Sequence, residues 1–591
     1  MISSIKYLKI FFNDRTLTFN VISLQFLFIL SSVFELIGIS LIGPFFYVLS
    51  SGPESLNNIY INYLYVFLSL DNYRDFALYF ATITISAILL GGFFSAICII
   101  LLTRVATHGG VYLGNRLFDH YLKQDWVFFL ENKKSKMINE IYQESSRVTQ
   151  NVLVPALMLN KAFFITLLIL TMLMVVDWQL TIGFFLGLIT IYMLIYFLLR
   201  KNLSKNSEEL TYSHEDRFKF LDDTFSSIKE IHIWKNSGIF LNGFDIASKR
   251  WSKALRNNMN ISNLPRFIVE TLILVLICVA CLIIFFNSTN IANSLPTYSV
   301  FLFSSLKLLP AIQLIYYSGS IISGNSYSIY NLHTVLNTNI SRTINKSEFN
   351  SKIASLSLRN INFSHTNSDF SLNSLNLDIK TGRTLGITGF SGSGKSTLVD
   401  IMMGLLKPDS GAIVVNNRDS DIYESLEWFN KIAYLPQKIS MTSSLLGENI
   451  HFKETSDINF DKFNLVSEQA NLVEFLQNID KENYDSLTMK NLSGGQTQRV
   501  GIARALYKDS DIVFFDEPSS ALDNINKNYF IKQIQEIKKD KIIIIVTHDF
   551  ELLEQVDDIA VLNDGNLEFF GSYEDSLRKS RVMEKLSSKD E

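Results

Sequence analysis

Charge is scarce in this 591-residue chain. Asp, Glu, Lys and Arg make up 19% of it, against 48% hydrophobic residues. Soluble domains carry about a quarter charged residues, so the shortfall excludes a chain built only of solvated domains. The mean hydropathy of +0.19 places part of it inside a membrane. Cysteine is nearly absent: Cys98, Cys278 and Cys281 all sit in apolar runs as packing residues, which leaves no disulfide framework and no zinc site to expect. The net charge of −4 gives no global basic field to recommend nucleic acid as a partner, and none is expected. No cleavable signal peptide is expected, because the first apolar run is too long and no small-residue cleavage pattern follows it. What is abundant is Phe (46) and Tyr (24), in keeping with lipid-facing and interfacial surface. The length calls for more than one core.

Six apolar runs are each near or above the roughly 20 residues that cross hydrocarbon. They are Val21–Ser50 (interrupted by Glu35 and Pro44), Phe76–Leu102, Val152–Val176, Leu180–Leu199, Phe267–Phe286 and Tyr298–Ile322. A tight Asp177-Trp178-Gln179 turn joins the third and fourth. The basic lead-in Lys6, Lys9 and Arg15, and the basic stretches 103–150 and 200–265, belong on the cytoplasmic side. Those long stretches also predict helices that continue well past the bilayer. Between the first two runs, Ile59, Tyr63, Leu64, Val66, Phe67 and Leu70 fall near helical spacing and predict a short amphipathic helix on the outer surface. Thr338–Lys352, polar and rich in Asn and Ser, is the expected linker. From Ile353 the pattern turns to short β-branched strands alternating with helices, so the expected division is a membrane half 1–337, a linker 338–352 and a soluble α/β half 353–591.

The soluble half carries the chemistry. Gly389-Phe390-Ser391-Gly392-Ser393-Gly394-Lys395-Ser396-Thr397 follows an apolar strand signal, Thr384–Thr388, and precedes a helical one, Leu398–Met403. Strand, Gly-rich loop and helix in that order form a phosphate-binding loop. Its glycines let successive N–H groups turn inward, and the helix N-terminus adds partial positive charge. Lys395 is expected on the β- and γ-phosphates of ATP and Ser396 on Mg²⁺. Downstream, the apolar strand Asp511–Phe515 ends in Asp516-Glu517. Asp516 is placed to anchor Mg²⁺, and Glu517 to act as general base on the attacking water.

Between them lies Leu492-Ser493-Gly494-Gly495-Gln496, a second hydroxyl-and-glycine nest opening a helix. This pentapeptide resembles the signature of ATP-binding cassette (ABC) transporters, and other elements match that family in order. Gln437 resembles the residue sensing Mg²⁺ and γ-phosphate, Ser520-Ala521-Leu522-Asp523 the segment crossing the dimer interface, and His548 the γ-phosphate switch. The resemblance implies an α-helical six-span exporter domain followed by an α/β P-loop ATPase. In it Ser493, Gly494, Gly495 and Gln496 of one subunit close over ATP held by the other, with Asp523 at that interface. One membrane domain and one cassette make half a transporter, and the simplest completion is a homodimer. Two segments, Leu122–Asn132 and Ser227–Trp234, look like the helices that couple cassette to membrane.

The chain departs from the family in places. His365 stands where an aromatic usually stacks on adenine, the acidic-Gly element before the signature is missing from Ser486–Asn491, and Asp549 follows His548 where exporters usually carry Arg. Within exporters, Phe34–Phe45 and Leu264–Glu270 look similar to the PglK-type flippases of lipid-linked oligosaccharides. That resemblance implies a polyprenyl-pyrophosphate glycolipid moved outward across a bacterial inner membrane, with N-terminus and cassette cytoplasmic. A pyrophosphate in hydrocarbon needs cations, and Arg266 and Lys307 are offered, with Lys161 near the third run. The competing expectation pairs these cations with Glu35 or Glu270 and makes the cargo an amphipathic peptide, drug or other lipid.

Overall fold

The computed structural model describes residues 6–68, 72–287, 291–338, 349, 351–365, 370–441, 445–452, 459–473 and 492–588. It divides into two compact units. One is Met1–Lys123 with Asn132–Asn339, and the other is Gln124–Glu131 with Ile340–Glu591. The expected linker falls almost wholly outside the described residues, as does the segment Ser486–Asn491.

The first unit is helical throughout its described residues. Its opening helix, Arg15–Ser40, is capped by Asp14, whose carboxylate accepts the Thr16 N–H. The first apolar run is not one rod: the chain breaks at Leu41 and resumes as Ile42–Ser51. Pro44 accounts for this, since it has no N–H for the Ser40 carbonyl and its ring crowds that group. Helix Arg15–Ser40 packs closely on helix Tyr73–Leu122. A Cβ added at Gly91 would lie 3.1 Å from the Cα of Glu35, so the two backbones meet there. A short helix, Ile59–Phe67, forms within the predicted stretch, with Ile61 buried and Ile59, Tyr60, Tyr63 and Phe67 exposed, while Leu70 of that stretch lies outside the described residues.

Helices Tyr73–Leu122, Trp178–Ser226 and Ser237–Asn287 have 50, 49 and 51 residues. At 1.5 Å per residue each is roughly 75 Å long, more than twice the hydrocarbon thickness. The third and fourth runs meet where expected: helix Val154–Val176 ends at Asp177, whose backbone is extended, and Trp178 starts the next. Among the described residues, four helical stretches are long and apolar enough to cross a membrane: Arg15–Asn57, Tyr73–Leu122, Lys134–Val176 and Val300–Ser323. The expected run Leu180–Leu199 lies on helix Trp178–Ser226, which holds the shorter apolar stretch Thr181–Ile195. The run Phe267–Phe286 lies on helix Ser237–Asn287, many of its side chains outside the described residues.

That last helix continues through Pro265. Proline leaves the carbonyl four residues back without its helical donor. The Tyr316 hydroxyl supplies one, donating to Ile261 O at 3.2 Å. A neighbouring helix thus satisfies a backbone group that hydrocarbon would leave bare.

The second unit holds two sheets. The smaller runs β2 (Ser371–Lys380), β1 (Ser355–Ser364), β4 (Ser410–Val415), β5 (Arg418–Asp419), all antiparallel. The larger runs β10 (Asn566–Gly571), β9 (Asp558–Asn563), β3 (Thr384–Gly389), β8 (Ile542–Val546), β7 (Ile512–Asp516), β6 (Ile432–Leu435). From β9 to β6 all pairings are parallel. Strands β3 and β8 are buried along their whole length, as strands of a parallel sheet covered on both faces are. The register aligns Ile387 with Val546, Val546 with Asp516, and Phe515 with Leu435. The carboxyl ends of β3, β8, β7 and β6 are therefore level and adjacent.

Candidate nucleotide site

Ligands of open parallel sheets bind outside the carboxyl ends of the strands. Here those ends carry, side by side, the 389–397 loop after β3, His548 after β8, Asp516-Glu517 at the end of β7 and Gln437 just past β6. Four groups read separately from the sequence are brought to one edge.

The loop has the backbone a phosphate nest requires. Gly392 and Gly394 take φ values of +81° and +98°, and a Cβ on Gly389 would fall 2.2 Å from Leu562 O. No side chain fits there. Helix Lys395–Met402 starts directly from this loop. Lys395 Nζ donates to the loop's own carbonyls, Gly389 O at 2.8 Å and Phe390 O at 2.9 Å. Burial lowers its pKa, and the charges of Glu517 and Asp516 oppose that. Ser391 and Ser396 are exposed at the mouth, Thr397 is half-buried, and the Ser393 hydroxyl is buried without a partner.

Asp516 accepts from the Tyr434 hydroxyl at 3.5 Å, and burial raises its pKa. Burial also raises Glu517, with the Asp516 charge adding to it. Glu517 has a positive φ of +49° and donates its N–H to Val546 O at 2.8 Å. This turn points the acid away from its strand toward His548, whose Nε2 lies 3.8 Å from Glu517 Oε1. Burial and the Lys395 charge hold His548 below the ordinary imidazole range, so it is neutral at physiological pH and able to accept as well as donate.

The donor set suits Mg²⁺. It offers an exposed hydroxyl (Ser396), an exposed amide (Gln437) and one carboxylate (Asp516), all oxygen donors. No cluster of three or more His, Cys, Asp or Glu able to hold an ion exists among the described residues. Mg²⁺ bound to a nucleotide needs none, since phosphates and water fill most of its shell.

Ser493 is the N-cap of helix Gly494–Tyr507. Its Oγ accepts the Gln496 N–H, and Gln496 Oε1 accepts the Ser493 N–H at 2.8 Å, a full capping box. Ser493 and Gly494 are exposed, while Gly495 and Gln496 are half-buried. Two residues on, Gln498 Nε2 donates to Glu517 O at 3.1 Å and Pro518 O at 3.0 Å, tying this helix to the end of β7. Asp523 caps helix Asn524–Ile537. His365 packs edge-on to Phe363 (centroids 4.9 Å), with Nε2 3.5 Å from Thr397 Oγ1.

Sequence reading missed two neighbours. Phe370 lies 6.4 Å from His365, and its ring would collide with a Cβ on Gly394. Asp400, one helical turn past the loop, accepts from Trp126 Nε1 at 3.4 Å. Val127 beside that Trp packs on the second unit's core, which is why Gln124–Glu131 groups with this unit. Burial pushes Asp400 up to about 6, with Asp516 adding repulsion. A raised carboxyl pKa is a stability term. The folded state holds this proton more tightly than the unfolded chain, so stability falls as pH rises from the ordinary carboxylate range through about 6. Asp400→Asn, which keeps an acceptor for Trp126, should remove a penalty of at most about 3 kcal/mol. Ligand-free protein should melt higher than wild type at neutral pH, with the gap shrinking as pH falls. Equal melting at all pH values would show that Asp400 is not destabilised by burial.

A phosphate nest beside a carboxylate pair and a histidine, on adjacent ends of a parallel sheet, defines a P-loop nucleotide hydrolase. A family model described as ABC transporter matches residues 372–520, and another, ABC transporter transmembrane region, matches 40–309. The chain belongs to the ABC transporter family, as an exporter-type half-transporter whose membrane region and ATPase are fused, and it is an ATPase coupled to transmembrane transport. It is 28% identical over 386 residues to a putative export ATP-binding/permease protein of Rickettsia felis, covering 61% of this chain and 64% of that one. It is 23% identical over 485 residues to the ATP-dependent lipid A-core flippase of Escherichia coli K12, covering 80% and 81%. In fold it is similar to a bacterial Atm1-family ABC exporter solved with ATP bound, with a TM-score of 0.78, 18% identity and 98% of each chain covered.

Proposed function

We infer that two copies of this chain form a homodimer that hydrolyses ATP at two shared sites and moves a polyprenyl-pyrophosphate-linked oligosaccharide from the inner to the outer leaflet. It lies in the bacterial inner membrane with N-terminus and cassettes cytoplasmic. The observation that carries the dimer is that, besides the 389–397 loop, the chain offers a second Ser-Gly-Gly helix start, exposed at Ser493 and Gly494, which this reading takes as the partner's face of the nucleotide site. Lys395, Ser396, Asp516 and Gln437 hold Mg·ATP, Glu517 activates water, His548 senses the γ-phosphate, and Ser493 closes the site from the partner. Support comes also from helix Ile228–Trp234 and its flanks, where Phe225, Ile228, Ile233, Trp234, Ile239 and Leu241 are exposed. An apolar patch of this kind suits a protein partner.

The lipid cargo draws on the membrane relative whose name is a lipid A-core flippase, and on the intramembrane cations. Lys307 Nζ lies 3.2 Å from Glu35 Oε2, and Arg266 Nε lies 2.9 Å from Glu270 Oε1. Both cations are more than half exposed. Under the flippase reading an arriving pyrophosphate takes them from their carboxylates. Under the alternative, an exporter of amphipathic peptides, drugs or other lipids, the pairs are structural, and the short Lys307–Glu35 and Arg266–Glu270 separations are the observation on its side. The test is ATP-dependent flipping of a labelled lipid-pyrophosphate glycan in proteoliposomes. Lys307→Ala with Arg266→Ala should cut flipping about tenfold or more, as lost charge-assisted contacts to phosphate do, with basal ATPase retained. Adding Glu35→Gln and Glu270→Gln controls for the two acids left without their cations. Unchanged flipping would remove the cations from substrate handling, and peptide export without flipping by wild type would replace the cargo.

A further inference from the structure

Asp549, immediately after His548, uses its two oxygens for different things. Oδ1 accepts the Glu551 N–H at 3.1 Å and caps the four-residue helix Phe550–Leu553. Oδ2 accepts the Ser519 hydroxyl at 2.9 Å and the Lys527 ammonium at 2.7 Å. A helix cap needs only the first oxygen, and a serine would serve. The second is spent on residues that bracket Ser520–Asp523. These contacts are sheltered: Ser519 is 9% exposed and the Lys527 side chain 13%. Lys527 is held in place by a second carboxylate, Glu551, at 2.6 Å.

The surrounding bonds make this a rigid linkage. The Asp549 N–H donates to Thr547 Oγ1 at 3.0 Å, so its backbone is fixed to the turn that carries His548. Gln498 holds the other end of the bracketed segment through the Glu517 and Pro518 carbonyls. The segment 517–527 is thus pinned to the signature helix at its start, and to the histidine turn at Ser519 and Lys527.

We propose that Asp549 is a positioning residue that couples His548 to the segment Ser520–Asp523, so that movement of the histidine turn on a γ-phosphate shifts the surface offered to the second cassette. Charge-assisted hydrogen bonds sheltered from water are stiff enough to carry such a displacement. This rests on the paired-cassette reading, where that segment lies at the interface. The residue is one of the places at which the chain departs from the exporter pattern, and a carboxylate does here what an arginine could not: it accepts from a hydroxyl and an ammonium together.

The test uses the full-length transporter in lipid nanodiscs, with ATPase rate measured against ATP concentration. Asp549→Asn retains the cap acceptor but, with its amide nitrogen toward Lys527, sets donor against donor. It should lower kcat about tenfold, the size expected for one lost hydrogen bond to a charged group, and bring the Hill coefficient toward one, with KM changed less than about twofold. Ser519→Ala removes one contact without touching the cap and should shift both in the same direction. Asp549→Asn with Lys527→Gln, which restores a donor–acceptor pair, should recover cooperativity. If the single variants lower only the melting temperature, leaving kcat and cooperativity as in wild type, Asp549 is a cap alone and the inference fails. If wild type itself is monomeric and non-cooperative, the paired-cassette reading fails and this inference with it.

Discussion

Glu517→Gln will bind ATP and scarcely turn it over. The substitution keeps shape and hydrogen-bonding reach while removing the only group at the end of β7 besides Asp516 that can take a proton from water. General bases contribute about 10²–10⁴ in rate, and a loss in that range is expected in kcat. The geometry adds a second consequence. Glu517 is partly buried beside the Asp516 carboxylate, and both acids are raised by burial. Neutralising one relieves repulsion in the site, so the variant should hold ATP at least as well as wild type and accumulate the closed, ATP-loaded dimer. Native mass spectrometry or crosslinking across the cassettes would detect it. Turnover within a fewfold of wild type would take the base role away from Glu517.

The second large effect tests whether the site is shared. Lys395→Ala and Ser493→Arg should each abolish hydrolysis in homodimers, the first by removing the phosphate cation, the second by filling the nest that opens helix Gly494–Tyr507. Mixed in one dimer, the two lesions fall together if Lys395 of one copy faces Ser493 of the other. One site is then doubly broken and the other intact. Random mixing makes half the dimers mixed, so about a quarter of wild-type sites should be competent under twofold pairing. Vanadate-induced nucleotide trapping counts competent sites directly. No recovery in tagged, purified mixed dimers would mean that each chain completes its own site.

Much of this was legible because it is local. A glycine loop between a β-branched run and a helical one announces a tight turn of inward N–H groups, and Asp516-Glu517 after an apolar strand announces a carboxylate pair at a strand end. The parallel sheet then places them together for a reason no single motif contains, the strand order β3-β8-β7-β6. Other features depend on partners far away in sequence. The break at Leu41 could have been taken from Pro44, but an apolar run of that length hides a one-residue interruption. Pro265 signals a helix end by itself, and the helix continues because Tyr316, 51 residues on, supplies a donor. Glu517's left-handed backbone has no sequence sign, since glutamate carries no preference for it. Asp400 reads as an ordinary helix-surface acid until Trp126 and the core beside it are in place. Asp549 stood out as an exception, but only Ser519 and Lys527 show what the exception does.

The strand order also bears on how the protein is made. Strand β3 (Thr384–Gly389) carries the phosphate loop, yet both of its neighbours, β8 (Ile542–Val546) and β9 (Asp558–Asn563), come far later in the chain. Until Asn563 has left the ribosome, the backbone groups of Thr384–Gly389 have no ladder to join, and a buried strand without a ladder does not persist. A nascent chain whose membrane helices are already inserted therefore carries a disarmed loop. ATP cannot be engaged, nor a half-built transporter set cycling in the bilayer, before β8 and β9 have joined the sheet.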